Sequence, residues 1–486
     1  MARLFVFGIG GTGSRVIKSL TMLLASGMKP GEFDEIVPII IDPHKDLKEL
    51  NDCKTLIKLY SSINSKINSS DQEIPDGFFN TKMTTLKVAS SNNSLRDDIE
   101  FDDQQNETFG EFISKTGIKR KSPETDDFLS LLYSDKNFKQ PLNVGFKGNP
   151  HMGSMVLNAL FRGRAYNAFE SVFGSDDRIF IISSVFGGTG AAGFPLLLQN
   201  LRNSTKPEIR NCKIGALSIL PYFKLTEAKE TSDIDSNDFM TKTKAALSYY
   251  VNPSFTKHFN SIYYLADHEH QTDAYVNDEK KQENAAHLIE LLGATAIFDF
   301  ANDNSSNRSI MKEYCINQDA ASVNFTNLGN STSKTIKTEL TALHLFSKIH
   351  PLISKNANQL AFCKINDFNN SFFKEPFFKD KETGLEVFFN DYYSKWIKEL
   401  GENQRSFFPY LLEHNETFNE LMAGNIIKTN FWDNKFTKPI DNSDILNKIS
   451  KSAMDDDVRK IKINSKHSKY LRMCWKGCAN FVQTNY

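Results

Sequence analysis

A strong charge of either sign is missing from this 486-residue chain: 58 Lys and Arg face 59 Asp and Glu, for a formal net charge of -1. No global field pulls it toward nucleic acid or an anionic membrane, so any electrostatic partner site is local. Cysteine is scarce, with six residues scattered from Cys53 to Cys478, which argues against a disulfide framework and fits a reducing compartment. Only Cys474 and Cys478 lie close together, and with His467 as the one further ligand they fall short of a zinc set. Long apolar runs are lacking as well. Stretches such as Ile36 to Ile41 are far too short to cross a bilayer, and no basic n-region with an apolar h-region opens the chain. A cytoplasmic location without a membrane partner is the expectation.

What is present is an ordinary globular composition, 40% hydrophobic and 24% charged, in a chain long enough for two or three domains. Within it stand three glycine turns. Arg178 to Val185 reads as a buried strand, Gly187-Gly188-Thr189-Gly190-Ala191-Ala192-Gly193 as a turn, and Phe194 to Leu201 as a helix opened by Pro195 in its first turn. The same logic appears at Arg3 to Phe7, followed by Gly8-Ile9-Gly10-Gly11-Thr12-Gly13-Ser14 and a helical stretch from Val16 to Leu24. A third loop, Gly145 to Gly153, leads through Gly148-Asn149-Pro150-His151 into a helix-like run from Ser154 to Val172. Glycine lets backbone approach a ligand, and the first amides of a helix have no internal partner and attract anions. Phosphate is the natural occupant. None of these turns is a Gly-x-x-x-x-Gly-Lys-Ser/Thr loop, which excludes a Walker-type site.

Strands at Glu35 to Ile41, Lys213 to Pro221 and Ser261 to Ala266 alternate with helices around Lys45 to Tyr60, Phe239 to Tyr250 and Lys280 to Phe300. This alternation predicts an α/β domain with a mostly parallel sheet over residues 1–300, in which 43–144 is irregular and insertion-rich. Asp42 ends the second strand, where open parallel sheets bind ligands; it is a candidate for a ribose or Mg²⁺, or equally the start of a turn. Residues 301–333 read as a polar linker or mobile loop, and 334–486 as a mainly α-helical domain with helices at Glu339 to Leu360, Leu385 to Leu400 and Arg405 to Ala423. The basic, aromatic stretch Arg459 to Lys476 fits a solvated terminal segment better than a nucleic-acid site. His268-Glu269-His270 reads as an exposed polar turn, and the Phe/Tyr-rich segments at 372–378 and 388–393 read as core.

Taken together and in order, the three loops resemble the tubulin/FtsZ superfamily, closest to its divergent bacterial tubulin-like members. Gly10-Gly11-Thr12-Gly13-Ser14-Arg15 is similar to the family's first glycine loop, with Arg15 where an Asn often stands. Gly148-Asn149-Pro150-His151-Met152-Gly153 resembles its γ-phosphate loop. Gly187-Gly188-Thr189-Gly190-Ala191-Ala192-Gly193 resembles the Gly-Gly-Gly-Thr-Gly-Ser-Gly signature, with Phe186 at the first glycine. The resemblance covers residues 1–300 and implies a Rossmann-like nucleotide-binding sheet with a central helix. It further implies GTP/GDP and Mg²⁺ as ligands, Asn284 as a base contact and Glu227 as a ribose contact. In this family a neighbouring subunit completes the active site in trans; Asp299 and Asp303 occupy that place, without an Asn-x-Asp-x-x-Asp pattern. Head-to-tail oligomers or filaments and a slow or assembly-activated GTPase are what the resemblance implies.

Two other readings stand beside it. The weak acidic loop and the unusual C-terminal half suit a non-hydrolysing nucleotide-binding scaffold that docks another protein of a multi-protein, even anti-phage, system. Gly8-x-Gly10-x-x-Gly13 also satisfies the dinucleotide pattern, with Asp34 and Asp42 downstream as ribose partners, which suits an NAD(P)-dependent enzyme. One dinucleotide needs only one such loop, whereas this chain has three.

Overall fold

The computed structural model of the chain describes all residues except 1, 45–46, 68–75, 96–106, 116–121, 143–145, 147–148, 226–236, 268–272, 276–283, 305–309, 316–321, 357–359, 361–374, 411–441, 462–465 and 486. Leu4 to Phe7 is apolar on both strand faces, so it can only be a central strand, and it forms β1 (Arg3–Ile9) in the middle of a sheet. Around it lie β2 (Glu35–Ile41), β3 (Lys82–Met83), β4 (Arg178–Ser184), β5 (Ile214–Ile219), β6 (Ser261–Ala266) and β7 (Ile310–Cys315). Their order is 3-2-1-4-5-6-7 and every pairing is parallel. The chain winds outward from β1 in one direction and from β4 in the other. The crevice between their carboxyl ends is therefore the switch point, where such sheets bind ligands.

The helices that matter here are α1 (Gly10–Ala25), α2 (Lys48–Ile67), α3 (Pro150–Leu160), α4 (Gly188–Arg202), α5 (Asn237–Tyr250) and α6 (Leu288–Asn302). Both α1 and α4 start inside their glycine turns, earlier than the apolar periodicity implies. Pro195 is thus an interior residue of α4 rather than its opening one, and it leaves one backbone carbonyl of the preceding turn without an internal amide. The central helix, in contrast, begins later than expected. Residues 284–287 are not helical, and α6 is started by a reciprocal cap at His287, whose own backbone is extended: His287 Nδ1 accepts the Ile289 amide (3.1 Å) while Glu290 Oε2 accepts the His287 amide (3.0 Å). Gly293 lets α6 sit tightly in the core, since a Cβ there would stand 2.8 Å from Leu217 and 3.3 Å from Val16.

Three expectations about the second half are corrected. The polar stretch 301–333 is not all linker, because Ile310–Cys315 pairs in register with β6 from Ser261↔Ile310 to Ala266↔Cys315. An edge strand can carry polar residues, and Lys312 on it answers Asp299 of α6. Of the helix expected at 405–423, Ser406–Phe407 instead pairs with Ser322–Val323 as a short parallel ladder, and 411–423 lies outside the described residues. Helices do dominate the rest: α7 (Asn330–Asn356), α8 (Ser394–Glu402, preceded by a π-helical turn), α9 (Asn442–Ser452) and α10 (Lys466–Asn485).

Within the basic terminal stretch Arg459 and Lys460 are exposed and 462–465 lie outside the described residues, but the part from Lys466 onward is not a solvated tail. Tyr470, Met473, Cys474 and Cys478 of α10 are buried against the core, and its cations meet acids: Arg472 with Asp457 (2.8 Å), Lys476 with Asp455 and Asp457 (2.8 and 2.6 Å). The aromatic residues Phe377, Phe378, Phe388, Phe389 and Tyr393 are buried as well. This helical half shares one core with the sheet half. Trp396 Nε1 donates to Ser19 Oγ of α1 (3.2 Å), and Arg405 pairs with Asp267, just beyond β6, with both side chains fully buried (3.1 Å). Among the described residues no helix is long and apolar enough to cross a membrane.

Candidate functional site at the carboxyl edge of the sheet

The register Ile9↔Ile41 and Gly8↔Ile182 puts the first glycine turn between the ends of β2 and β4. Gly10 takes a left-handed φ of 73°, a conformation that strains other residues. Gly13 lets α1 press on its own strand: a Cβ there would stand 2.4 Å from the Gly8 carbonyl carbon. Gly190 plays the same part for α4 over Ser184, at 2.9 Å.

The turns also touch one another. A Cβ on Gly10 would face the Thr189 Cβ at 3.5 Å, and one on Gly153 would meet Ala192 Cβ at 2.9 Å and the Gly188 carbonyl oxygen at 3.1 Å. Three loops far apart in sequence therefore converge on one spot. Ile9 and Gly187, the residues before α1 and α4, make no side-chain cap, so the first amides of both helices lack a capping side chain. At α3 Asn149 Oδ1 accepts the Met152 amide at 3.4 Å. The helix dipoles of α1 and α4 thus converge with positive ends toward the switch point, a setting that favours an anion. Space remains at Gly11, where an added Cβ would meet no atom within 4 Å.

Two hollows flank this spot. A groove of about 810 Å³ runs past Asn149, Pro150, His151, Gly187 and Ala191 to Lys242 and Tyr249 of α5. A smaller cavity of about 260 Å³ brings Ser14 and Arg15 of α1 together with Asn284, Glu49 of α2, Glu290 of α6 and Glu399 of α8. The expected base contact Asn284 thus shares a cavity with Ser14 and Arg15 of the first loop.

Arg15 is buried and organises that cavity. Its Nε pairs with Glu290 Oε1 (2.6 Å), its Nη2 donates to the Ala285 carbonyl (3.1 Å), and its Nη1 lies 3.8 Å from Glu49 Oε2. Glu290 Oε1 also accepts the Tyr222 hydroxyl (2.8 Å), and Glu49 Oε1 accepts the Asn284 amide (2.6 Å). Burial raises the Glu49 carboxyl, partly offset by Arg15. Glu49 and Glu290 were not singled out by sequence. Only Glu290 left a signal there, three residues after the cap His287.

The remaining candidates separate. Asp42 is buried beside the first turn; its Oδ1 accepts the His44 amide (2.9 Å), the turn-starting geometry, and burial pushes its carboxyl up to about 6. Asp299 and Asp303 do not join the glycine turns. Asp299 Oδ2 accepts the Tyr263 hydroxyl (2.6 Å) and pairs with Lys312, and the Asp303 carbonyl accepts Arg178 Nη1 (3.2 Å) at the start of β4. They sit toward the far end of the 15-residue α6, roughly 17 Å (Asp299) and 22 Å (Asp303) along its axis from Leu288. Gly148 and Glu227 lie outside the described residues, as do His268 to His270. Among the described residues no three His, Cys, Asp or Glu side chains converge as a metal-ligand set. The chain matches no protein-family model and no curated protein, so the chemistry of the site rests on its own geometry.

Proposed function

We propose that this chain is a tubulin-like nucleotide-binding protein that takes GTP at the carboxyl edge of its sheet and assembles head to tail with further copies. The observation that carries the reading is the convergence of three glycine loops, with Gly10 against Thr189 and Gly153 against Gly188 and Ala192. Phosphates would lie against the first amides of α1 and α4 and the hydroxyls of Thr12, Ser14 and Thr189, and the base would enter the cavity shared by Arg15 and Asn284. Asp42 suits a Mg²⁺ that arrives with the nucleotide, because such an ion needs only one or two protein carboxylates and would relieve the cost of burying this one. When bound, the ion supplies neutralisation of phosphate charge. Within a single chain neither acid at the end of α6 reaches the turns, so hydrolysis requires Asp299 or Asp303 of a second copy to orient water toward the γ-phosphate, while the loop amides stabilise developing charge.

A second reading draws on one specific contact. Asp299 is already held by Tyr263 and Lys312 of its own chain, which favours a scaffold that binds nucleotide without turning it over and engages another protein through its helical half. The test is extraction and chromatographic identification of copurifying nucleotide, then phosphate release and sedimentation with GTP and Mg²⁺ over a range of protein concentrations. Concentration-dependent release with sedimenting polymer supports the first reading; retained guanine nucleotide with no turnover supports the second. Stabilisation by NAD or NADP and not by GTP would overturn both in favour of a dinucleotide enzyme.

A further inference from the structure

Glu49 stands out among the groups around the smaller cavity. Its side chain is nine-tenths buried, and Oε2 has no hydrogen-bond partner among the described residues, although it lines a hollow of about 260 Å³. The other buried acid there, Glu290, is engaged through both oxygens by Arg15, Tyr222 and the His287 amide. Glu49 Oε1 is fixed by the Asn284 amide at 2.6 Å, and the Arg15 guanidinium stays 3.8 Å from Oε2. A buried acceptor held in place and left open is costly unless something donates to it.

We infer that Glu49 is the base-specificity residue of this site, its Oε2 accepting a ring N–H of guanine. The inference rests on the nucleotide reading above and adds the group that chooses the base. Guanine carries an N1–H and an exocyclic amine side by side on one edge, so a carboxylate oxygen facing that edge finds a donor. Adenine presents the N1 lone pair there, which faces the carboxylate with like charge and leaves it unsatisfied. Sites that are built to hydrogen-bond an N–H reject analogues lacking it far more strongly than apolar pockets reject a missing methylene. Glu49 reaches the cavity from α2, and Asn284, whose backbone it holds, lines the same space.

The experiment uses the full chain and measures GTP and ATP affinities for the wild type and Glu49→Gln, with thermal melts of both nucleotide-free proteins to verify folding. Glutamine keeps the shape and can still accept the Asn284 amide, but turns an N–H toward the cavity. GTP binding is expected to weaken roughly 10- to 100-fold, the loss typical of a hydrogen bond to a charged group, while ATP binding holds or improves. Equal weakening of both nucleotides, or no change in their ratio, overturns the inference. Should Glu49→Gln fail to fold, Glu49→Asp, which draws the oxygen back, is read by the same ratio. Wild-type chain that binds neither nucleotide refutes the underlying reading instead, so the two failures are distinct.

Discussion

The two ends of the parallel sheet are built on opposite principles. At the amino edge charges are answered within the chain: Arg3 pairs with Asp177 (2.7 Å), Arg178 caps the end of α6 through the Ala301 and Asp303 carbonyls, and towards this edge Lys312 holds Asp299. At the carboxyl edge α1 and α4 begin without side-chain caps, Gly11 faces open space, and among the described residues no group donates a hydrogen bond to Glu49 Oε2. Satisfied polar groups hold a fold, whereas unsatisfied ones converging on a crevice are what a ligand completes. On the proposed reading the same sheet carries a structural pole and a binding pole.

The glycines of the binding pole test this division most severely, since two of them in one turn differ in purpose. Gly13→Ala forces a Cβ to within 2.4 Å of the Gly8 backbone, and overpacking against backbone predicts a loss of ~3 kcal/mol or more in a urea melt. Gly11→Ala meets no atom within 4 Å and should change stability by less than ~0.5 kcal/mol, yet weaken GTP by filling space that phosphate needs. If Gly11→Ala bound GTP normally, the open face of the turn would not be where the nucleotide lies.

How far the sequence discloses the two poles follows from the kind of force that builds each. The glycine turns, the buried strands and the helix of Phe239 to Tyr250 are legible because local periodicity and backbone freedom decide them. The last strand, Ile310–Cys315, is hidden because Lys312 on it finds Asp299 of the neighbouring helix only after folding. The tail is misread because Arg472 and Lys476 find Asp457 and Asp455 only after folding. Glu49 has no local signature at all, since its burial depends on α1, α2 and the residues before α6 meeting.

Acid should strike the helical half first. His344, stacked on Tyr410 at 4.1 Å, and His350, bonded to Tyr470 at 2.8 Å, are held neutral by burial, at about 3 and about 4 against an ordinary 6.5. Between pH 6.5 and 4 the unfolded chain therefore takes up more protons than the folded one. The stabilisation is complete above pH 6.5 and falls as pH drops, at ~1.4 kcal/mol per unit for each histidine. Asp42 opposes one of the two histidines below pH 6, so the test is the difference between variants: His344→Gln should make the acid slope shallower by ~1.4 kcal/mol per unit in urea melts between pH 7 and pH 5. An unchanged slope in His344→Gln would mean that this ring exchanges protons with solvent freely.

Asp42 works in the opposite sense and belongs to the binding pole. Its folded value of about 6 lies above the ordinary 3.8, so the folded chain holds the extra proton between those values and the ionised form burdens stability above pH 6. Asp42→Asn keeps an oxygen for the His44 amide and should stabilise the nucleotide-free chain by ~2 kcal/mol at pH 7.5. The same variant should lose the Mg²⁺ enhancement of GTP binding. Gain in melting temperature with unchanged Mg²⁺ dependence would reduce Asp42 to a turn residue.

A variant with little effect on stability bears most directly on function. Asp299 is 47% exposed, and an ion pair so open to water is worth ~1 kcal/mol or less, so Asp299→Asn should melt within a few degrees of the wild type. Its effect on turnover has no such bound. If the amino pole of one copy completes the binding pole of the next, Asp299→Asn abolishes phosphate release while GTP binding to the isolated chain stays intact. An equimolar mixture with Gly11→Ala then recovers part of the release, because each Asp299 of the glycine variant can face an intact turn of the other. Release that persists in Asp299→Asn leaves Asp303 as the acid in trans, whereas release absent from the wild type at every concentration makes the Tyr263 and Lys312 contacts the permanent state of Asp299 and the chain a scaffold.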